Sequence, residues 1–349
     1  MKKTVVLIVV VILSGLTVWS CSSQKKVHRK HLFFRMDTVS EVTLSVPQNF
    51  NVSKVWDQID SLLALNEHRF SVSQEGSEVK VLNERTEQTL PVSKELGEML
   101  RLGIAYGDTL SGGFDITVLP LKELWGLDEQ SDEQNRPLPD SGQVRDALSK
   151  VDYRNVVVNE KEDKVTFKSP QTRIDIGGIA KGYVLRQLGE LISSMGITDY
   201  LVVAGGDIIS SGTRSDGQRW IIGVQHPRVR SEMLATLPLE RGAIVTSGDY
   251  ERFRMIDGKR YHHIFDASTG YSSDKNRSLT IWTLDPVIAD IYSTGLFSRS
   301  ASEIMAFVQS RPDLECIVVD NVGEIHVSSG WKDKVNLQTS SPPGDSLTN

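Results

Sequence analysis

The sequence predicts an α+β fold, on three observations. Strand-like runs outnumber helical ones, and helices interrupt them at irregular intervals rather than in strict alternation. Pairs of strand runs separated by short polar turns recur at 156–167, 252–265 and 316–327, the pattern of antiparallel hairpins. From the N-terminal side, residues 33–46 (FFRMDTVSEVTLSV) alternate as one strand. Over 53–70 the apolar residues Val55, Ile59, Leu62, Leu63 and Leu65 fit an amphipathic helix, with Ser53 as its cap. A second helix begins after Ser93 and carries Leu96, Met99, Leu100, Ile104 and Ala105 on one face. The polar segment 128–140, with Pro137 and Pro139, reads as a surface loop. Runs 156–158 and 165–167 flank an acidic turn, and a helix follows the glycines at 177–178. Strands are expected at 200–203, 220–224 and 243–246. The 252–256/260–265 hairpin turns on Asp257-Gly258, a favoured pair. A strand at 278–284, helices at 287–298 and 302–310, and a last hairpin at 316–319/324–327 complete the unit.

The chain has 349 residues, 39% hydrophobic and 24% charged, which is ordinary globular composition. A net charge of −6, with no basic stripe interleaved with aromatics beyond the N-terminal region, excludes nucleic acid as a partner. Cys21 and Cys316 lie nearly a whole chain apart, so neither a zinc site nor a disulfide framework is expected. Cys316 falls in a strand-like run and reads as a buried core thiol.

Residues 1–20 read as a lipoprotein signal peptide: Lys2 and Lys3, an apolar run over 4–19, then Ser20-Cys21-Ser22. That run spans only about 24 Å as a helix, short of a ~30 Å hydrocarbon core, which disfavours an uncleaved anchor. Cys21 is then the lipidated residue. A basic tether over 21–31, a single large catalytic unit over 32–337 and a disordered tail over 338–349 follow.

Five segments place chemically useful residues at element ends. In 173–207, Asp175 closes a strand, Gly177 and Gly178 allow close backbone approach, and Lys181 sits in the first turn of the next helix. Helix-start amides beside a lysine suit a phosphate-bearing ligand. The segment is neither a Walker loop nor a GxGxxG fingerprint, and taken alone a purely structural turn is the better account of it. Ser111-Gly112-Gly113-Phe114-Asp115-Ile116-Thr117 reads as a helix C-cap and turn. Thr246-Ser247-Gly248-Asp249-Tyr250 offers hydroxyls at a strand end. His262 and His263 are adjacent, so at most one points into any site. Asp290 and Thr294 are four apart and share a helix face with Ser293 alongside, a set of hard oxygen donors suited to Mg²⁺ rather than Zn²⁺. An ordinary helix explains that spacing too.

Taken in order, GGFDITVLPL, DIGGIAKGY, GGDI, TSGDY, HHIFDASTG and ADIYSTGL resemble the ApbE family of FAD:protein FMN transferases, which are flavin-transferring lipoproteins. FRMDT, with Met36, resembles the family's N-terminal flavin contact. Ser73 departs from the pattern, standing where the family commonly has an aromatic residue, so no flavin-stacking ring is implied there. The resemblance implies a T-fold-like arrangement of mixed sheets with packed helices. It implies transfer of FMN from FAD to a threonine hydroxyl of a target protein, with a phosphoester formed, AMP released and Mg²⁺ required. Asp290, Thr294 and the Gly178 carbonyl would ligate the metal, with Ser293 near. Gly113, Phe114 and Asp115 would hold the adenine half or its ribose, and Asp175, Lys181 and Ile264 would complete the FAD pocket. His263 matches the histidine before the family's Asp-x-x-Thr-Gly segment and is expected to take the threonine proton, its unperturbed pKa lying near working pH. The implied target is a subunit of a membrane redox complex, and the implied location is the periplasmic side of a bacterial membrane. Two alternatives keep parts of this site: an Mg²⁺-dependent FAD pyrophosphatase with water as acceptor, and a non-catalytic flavin-binding lipoprotein. The Asp290–Thr294 pair counts against the second.

Overall fold

The computed structural model describes residues 25–36, 38–127, 137–161 and 163–338. The expected signal peptide with Cys21, most of the 128–140 loop, and the tail beyond 338 lie outside the described residues. The framework is an eight-stranded sheet whose strands pair antiparallel in chain order. They are β1 (Lys26–Arg35), β2 (Thr38–Pro47), β3 (Tyr200–Ala204), β4 (Asp207–Ser211), β5 (Gly242–Gly248), β6 (Asn276–Thr283), β7 (Glu315–Asp320) and β8 (Ile325–Val327). The helices are α1 (Ser53–Phe70), α2 (Glu78–Asn83), α3 (Lys94–Thr109), α4 (Leu119–Trp125), α5 (Ser141–Leu148), α6 (Ala180–Ser194), α7 (Pro286–Gly295) and α8 (Ala301–Gln309). The expected α+β class is what forms.

Both sheet faces are covered. On one, Val42, Leu44, Val202, Val245 and Ile281 pack with Ile59 of α1, Leu185 and Leu188 of α6 and Ile291 of α7. Each such side chain contributes about 1.5–3 kcal/mol when fully buried. On the other face, Ile208, Ile244 and Ile317 meet a small sheet of Trp220–Gln225, Met233–Leu239 and Asn336–Leu337. Cys316 is the buried core thiol its strand run predicts, and burial pushes it up to about 12.

Two expectations at the N-terminal end are corrected. The run read as one strand over 33–46 is a hairpin, with Met36 at φ 57° in its turn and Arg35 opposite Thr38. Inward positions change parity across that turn, from Phe33 to Val42, Leu44 and Val46, which is how a two-residue loop appears in sequence. The tether expected over 21–31 stops short, because Lys26 to His31 belong to β1. Their charges are those of an edge strand: Lys26 pairs with Asp199, and Lys30 with Glu41 at 2.7 Å.

Ser53 is not the cap of α1. Val52 occupies that position, and the Asn51 side chain accepts from the Ser53 amide at 3.0 Å. Ser93 does cap α3, accepting from Leu96. Gly205 and Gly206, at φ 56° and 92°, form the two-residue turn joining β3 to β4, a strand the sequence reading passed over.

Candidate active site

A cavity of about 730 Å³ opens where several element ends converge. The β1–β2 turn supplies Met36, the β3–β4 turn Gly205, and the end of β5 Thr246, Ser247 and Gly248. The segment after α3 supplies Gly113, Phe114 and Asp115, the turn into α6 Asp175, Gly178 and Lys181, and α7 Asp290 and Thr294. His263 and Ile264 close the wall beyond the 253–262 hairpin. Among the expected site residues inside the described segments, Ser293 alone does not line the cavity. It is fully buried one layer behind, because position 293 on α7 faces β5 rather than the opening.

The wall that carries Asp290 depends on how closely α6 approaches α7. A Cβ on Gly182 would lie 2.4 Å from the Pro286 carbonyl oxygen, so only glycine fits the crossing. At that approach the Gly182 amide donates to the Asp290 carboxylate at 2.9 Å. Asp290 is buried, which raises its carboxyl above the ordinary aspartate value; Lys181 opposes this shift and Asp207 adds to it. Lys181 ion-pairs with Asp207. Enclosure in the cleft would lower the lysine, but Asp207 and Asp290 outweigh it and hold its pKa above the ordinary value. Asp207 also accepts from the Thr246 amide at 3.2 Å, tying β4 to β5 beneath the site.

Beside Asp290, the Thr294 hydroxyl lies 3.3 Å from that of Ser247, which in turn lies 2.9 Å from that of Ser293. A Cβ on Gly178 would come within 3.1 Å of Thr294 Cγ2 and 3.0 Å of the Phe114 ring. The Gly178 backbone therefore sits directly against the threonine. One buried carboxylate and hydroxyls lining the same wall form an all-oxygen donor set, which fits Mg²⁺. Asp290, Thr294 and the Gly178 backbone are the residues that would hold it, and Ser247 replaces Ser293 as the serine at the cavity surface.

The cavity lining also carries a buried ion pair, Lys122 to Asp175 at 2.7 Å. Burial would raise the Asp175 carboxyl, but Lys122 and the Gly177 amide, donating at 2.8 Å, bring it below the ordinary range. Asp115 is held by its own loop: Thr117 donates through its amide at 2.7 Å and its hydroxyl at 2.6 Å, and the Tyr153 amide at 3.0 Å. Burial still leaves its carboxyl above the ordinary value. Ser71 and Ser73 also line the cavity, so the position lacking the family's aromatic ring does face the ligand space.

The two histidines point apart, although the strand ends at His262 and His263 lies in the bend beyond it, so strand alternation is not what separates them. His262 is buried; its Nε2 bonds the Ser273 carbonyl at 2.8 Å and its Nδ1 accepts from the Ile264 amide at 3.3 Å. His263 lines the cavity, with Nδ1 3.2 Å from the Arg252 carbonyl. Enclosure and the Lys122 charge lower the His263 pKa, so its ring is neutral. A carbonyl only accepts, so Nδ1 carries the hydrogen and Nε2 keeps a lone pair.

Sequence reasoning missed Lys122, Asp207 and Ser247. The signal for Lys122 was a lysine beside Leu121, with Leu124 and Trp125 following on the same short helix. Ser247 lies within the TSGDY motif.

The sequence profile of the ApbE family matches residues 36–318. The chain is 28% identical over 249 residues to the FAD:protein FMN transferase of Haemophilus influenzae, covering 70% of this chain and 72% of that one. It is 29% identical over 282 residues to the protein of the same name from Vibrio cholerae, covering 79% and 83%. Among solved structures, the ApbE protein of Thermotoga maritima superposes with a TM-score of 0.80 at 30% identity, over 88% of this chain and 99% of that one. The flavin transferase ApbE of Vibrio cholerae gives 0.78 at 25%, with the same coverage. With the profile spanning most of the chain and the fold shared across the whole length of those structures, this protein belongs to the ApbE family.

Proposed function

We propose that this protein transfers FMN from FAD to a threonine hydroxyl of a target protein and releases AMP, with Mg²⁺ required. The observation that carries this reading is the convergence of Asp290, Thr294, Lys181 and His263 on one cavity. It is joined by membership of a family whose named relatives are FAD:protein FMN transferases. In the reaction the threonine oxygen bonds to the FMN phosphorus while the phosphoanhydride bond to AMP breaks. His263 lines the cavity, and with Nδ1 engaged by the Arg252 carbonyl its Nε2 takes the threonine proton. Phosphate charge on the bound dinucleotide opposes the influence of Lys122 and strengthens this base. Lys181, oriented by Asp207, offsets charge on the pyrophosphate, and Gly113, Phe114, Asp115, Asp175, Met36 and Ile264 shape the rest of the FAD pocket. Asp290, Thr294 and the Gly178 backbone would hold Mg²⁺, which would supply neutralisation of the charge that shifts onto the leaving phosphate oxygens.

The deciding experiment incubates the protein with FAD, Mg²⁺ and a threonine-bearing candidate acceptor, then weighs protein and nucleotide products. FMN on the acceptor with stoichiometric AMP supports the proposal. FMN and AMP free in solution, with the acceptor unmodified, would assign hydrolysis instead. Among the described residues no helix is long and apolar enough to cross a membrane. Attachment to the periplasmic face of the membrane through a lipid on Cys21 belongs to the same proposal, and so does a membrane redox-complex subunit as acceptor. Cys21→Ala is expected to release the protein from the membrane fraction.

A further inference from the structure

From the cavity wall inward, Thr294, Ser247 and the buried Ser293 form a chain of three hydroxyls whose direction is fixed at its inner end. Ser293, fully buried, donates its hydrogen to the Asp290 backbone carbonyl at 3.0 Å, and a carbonyl has nothing to donate in return. A serine hydroxyl has one hydrogen and two lone pairs. Ser293 has therefore spent its hydrogen, and at 2.9 Å it must accept from Ser247. Ser247 has then spent its own, so the 3.3 Å contact with Thr294 runs from Thr294 to Ser247. The hydrogens point inward at every step, from Thr294 through Ser247 and Ser293 to the helix carbonyl. Thr294 Oγ1 is left presenting lone pairs alone to the cavity it lines.

We propose that Ser247 and Ser293 are positioning residues that fix the Thr294 hydroxyl as an acceptor, making this wall selective for a divalent cation over an anion. The inference rests on the cation reading above and goes beyond it in giving these two serines a role through Thr294. A phosphate oxygen meets only lone pairs here, so the ligand's anionic groups approach from the Lys181 side.

The test titrates full-length protein with Mn²⁺ alone, followed by electron paramagnetic resonance and calorimetry without FAD. Breaking the chain frees the Thr294 hydrogen to turn into the cavity and oppose the cation. Loss of one neutral hydrogen bond's worth of orientation corresponds to about a 5- to 10-fold weaker Mn²⁺ affinity in Ser247→Ala and in Ser293→Ala. Ser247→Thr keeps a hydroxyl and is expected to restore the wild-type affinity, a rescue that loss of packing alone does not produce. Wild-type Mn²⁺ affinity in Ser247→Ala overturns the proposal, as does an equal loss in Ser247→Ala and Ser247→Thr; these two variants decide even where Ser293→Ala fails to fold. Failure of the wild type itself to bind Mn²⁺ would instead bring down the cation reading and this inference with it.

Discussion

The amide of Gly182 donates to the carboxylate of Asp290 at 2.9 Å, so α6 positions the acid that α7 presents to the cavity. Sequence spacing alone puts Asp290 and Thr294 on one face. The contact from Gly182 fixes how that face meets the turn carrying Gly178 and Lys181.

Gly182→Ala forces this crossing apart, since the new methyl would lie 2.4 Å from the Pro286 oxygen and 2.9 Å from Asp290 Cβ. Overpacking of this kind costs about 1–3 kcal/mol. The urea midpoint is expected to fall and Mn²⁺ affinity with it. An unchanged midpoint would mean that the helices are not held this close.

Asp290→Asn preserves the shape and an oxygen for the Gly182 amide but removes the one charged ligand proposed for the cation. Turnover is expected to drop by at least about 10²-fold, and Mn²⁺ binding to fall to background, while the melting temperature stays near that of wild type. Activity indifferent to EDTA in the wild type, or retained in Asp290→Asn, would remove the metal assignment.

Lys122→Met leaves Asp175 buried without its partner, a loss of about 3–5 kcal/mol at neutral pH. In the wild type the Asp175 pKa is depressed on folding. Its stabilisation is therefore present above about pH 3.9 and is lost as pH falls through the folded value. In the variant, burial raises the folded pKa instead, so the folded state binds the proton more tightly and stability increases as pH falls from 7 toward 4. Melting temperatures across that range check the reversal, and parallel curves for the two proteins would contradict it.

Much of the site was legible because its residues lie in short motifs near element ends, and helix spacing fixes those on α7; the strand expected to close at Asp175 does not form, and 172–176 runs irregularly into the turn. Asp257-Gly258 turned where its chemistry required, with φ 51° and 76°. The reading of 111–117 as a helix C-cap and turn and the binding role implied there are both compatible with the structure. The Gly112 amide closes the helix onto Gly107 at 2.8 Å, and Gly113 sits against the Gly295 carbonyl. What escaped depends on partners distant in sequence. Asp207 matters because it meets Lys181 and Thr246, and Lys122 because it meets Asp175. Ser293 was misplaced because a helix face spans about three residues, and only the packing of α7 against its neighbours decides which of them stay buried and which reach the opening. β1 escaped for another reason: its charges are those of a strand edge, and edge strands and solvated tethers share that composition.

His263 and His262 give the most direct test of the chemistry. His262 uses both ring nitrogens in bonds to Ser273 and Ile264, whereas His263 spends only Nδ1, on the Arg252 carbonyl. His263→Ala is expected to lower turnover by about 10²–10⁴-fold with FAD affinity nearly unchanged, because proton abstraction counts only in the chemical step. His262→Gln is expected to lower stability while turnover of the folded fraction holds. Burial lowers the His262 pKa on folding, so the wild type loses stability as pH drops below about 6.5, where the unfolded chain gains the proton first. His262→Gln removes part of that slope. Equal turnover losses in the two variants would give the pair a structural role and leave the reaction without its assigned base.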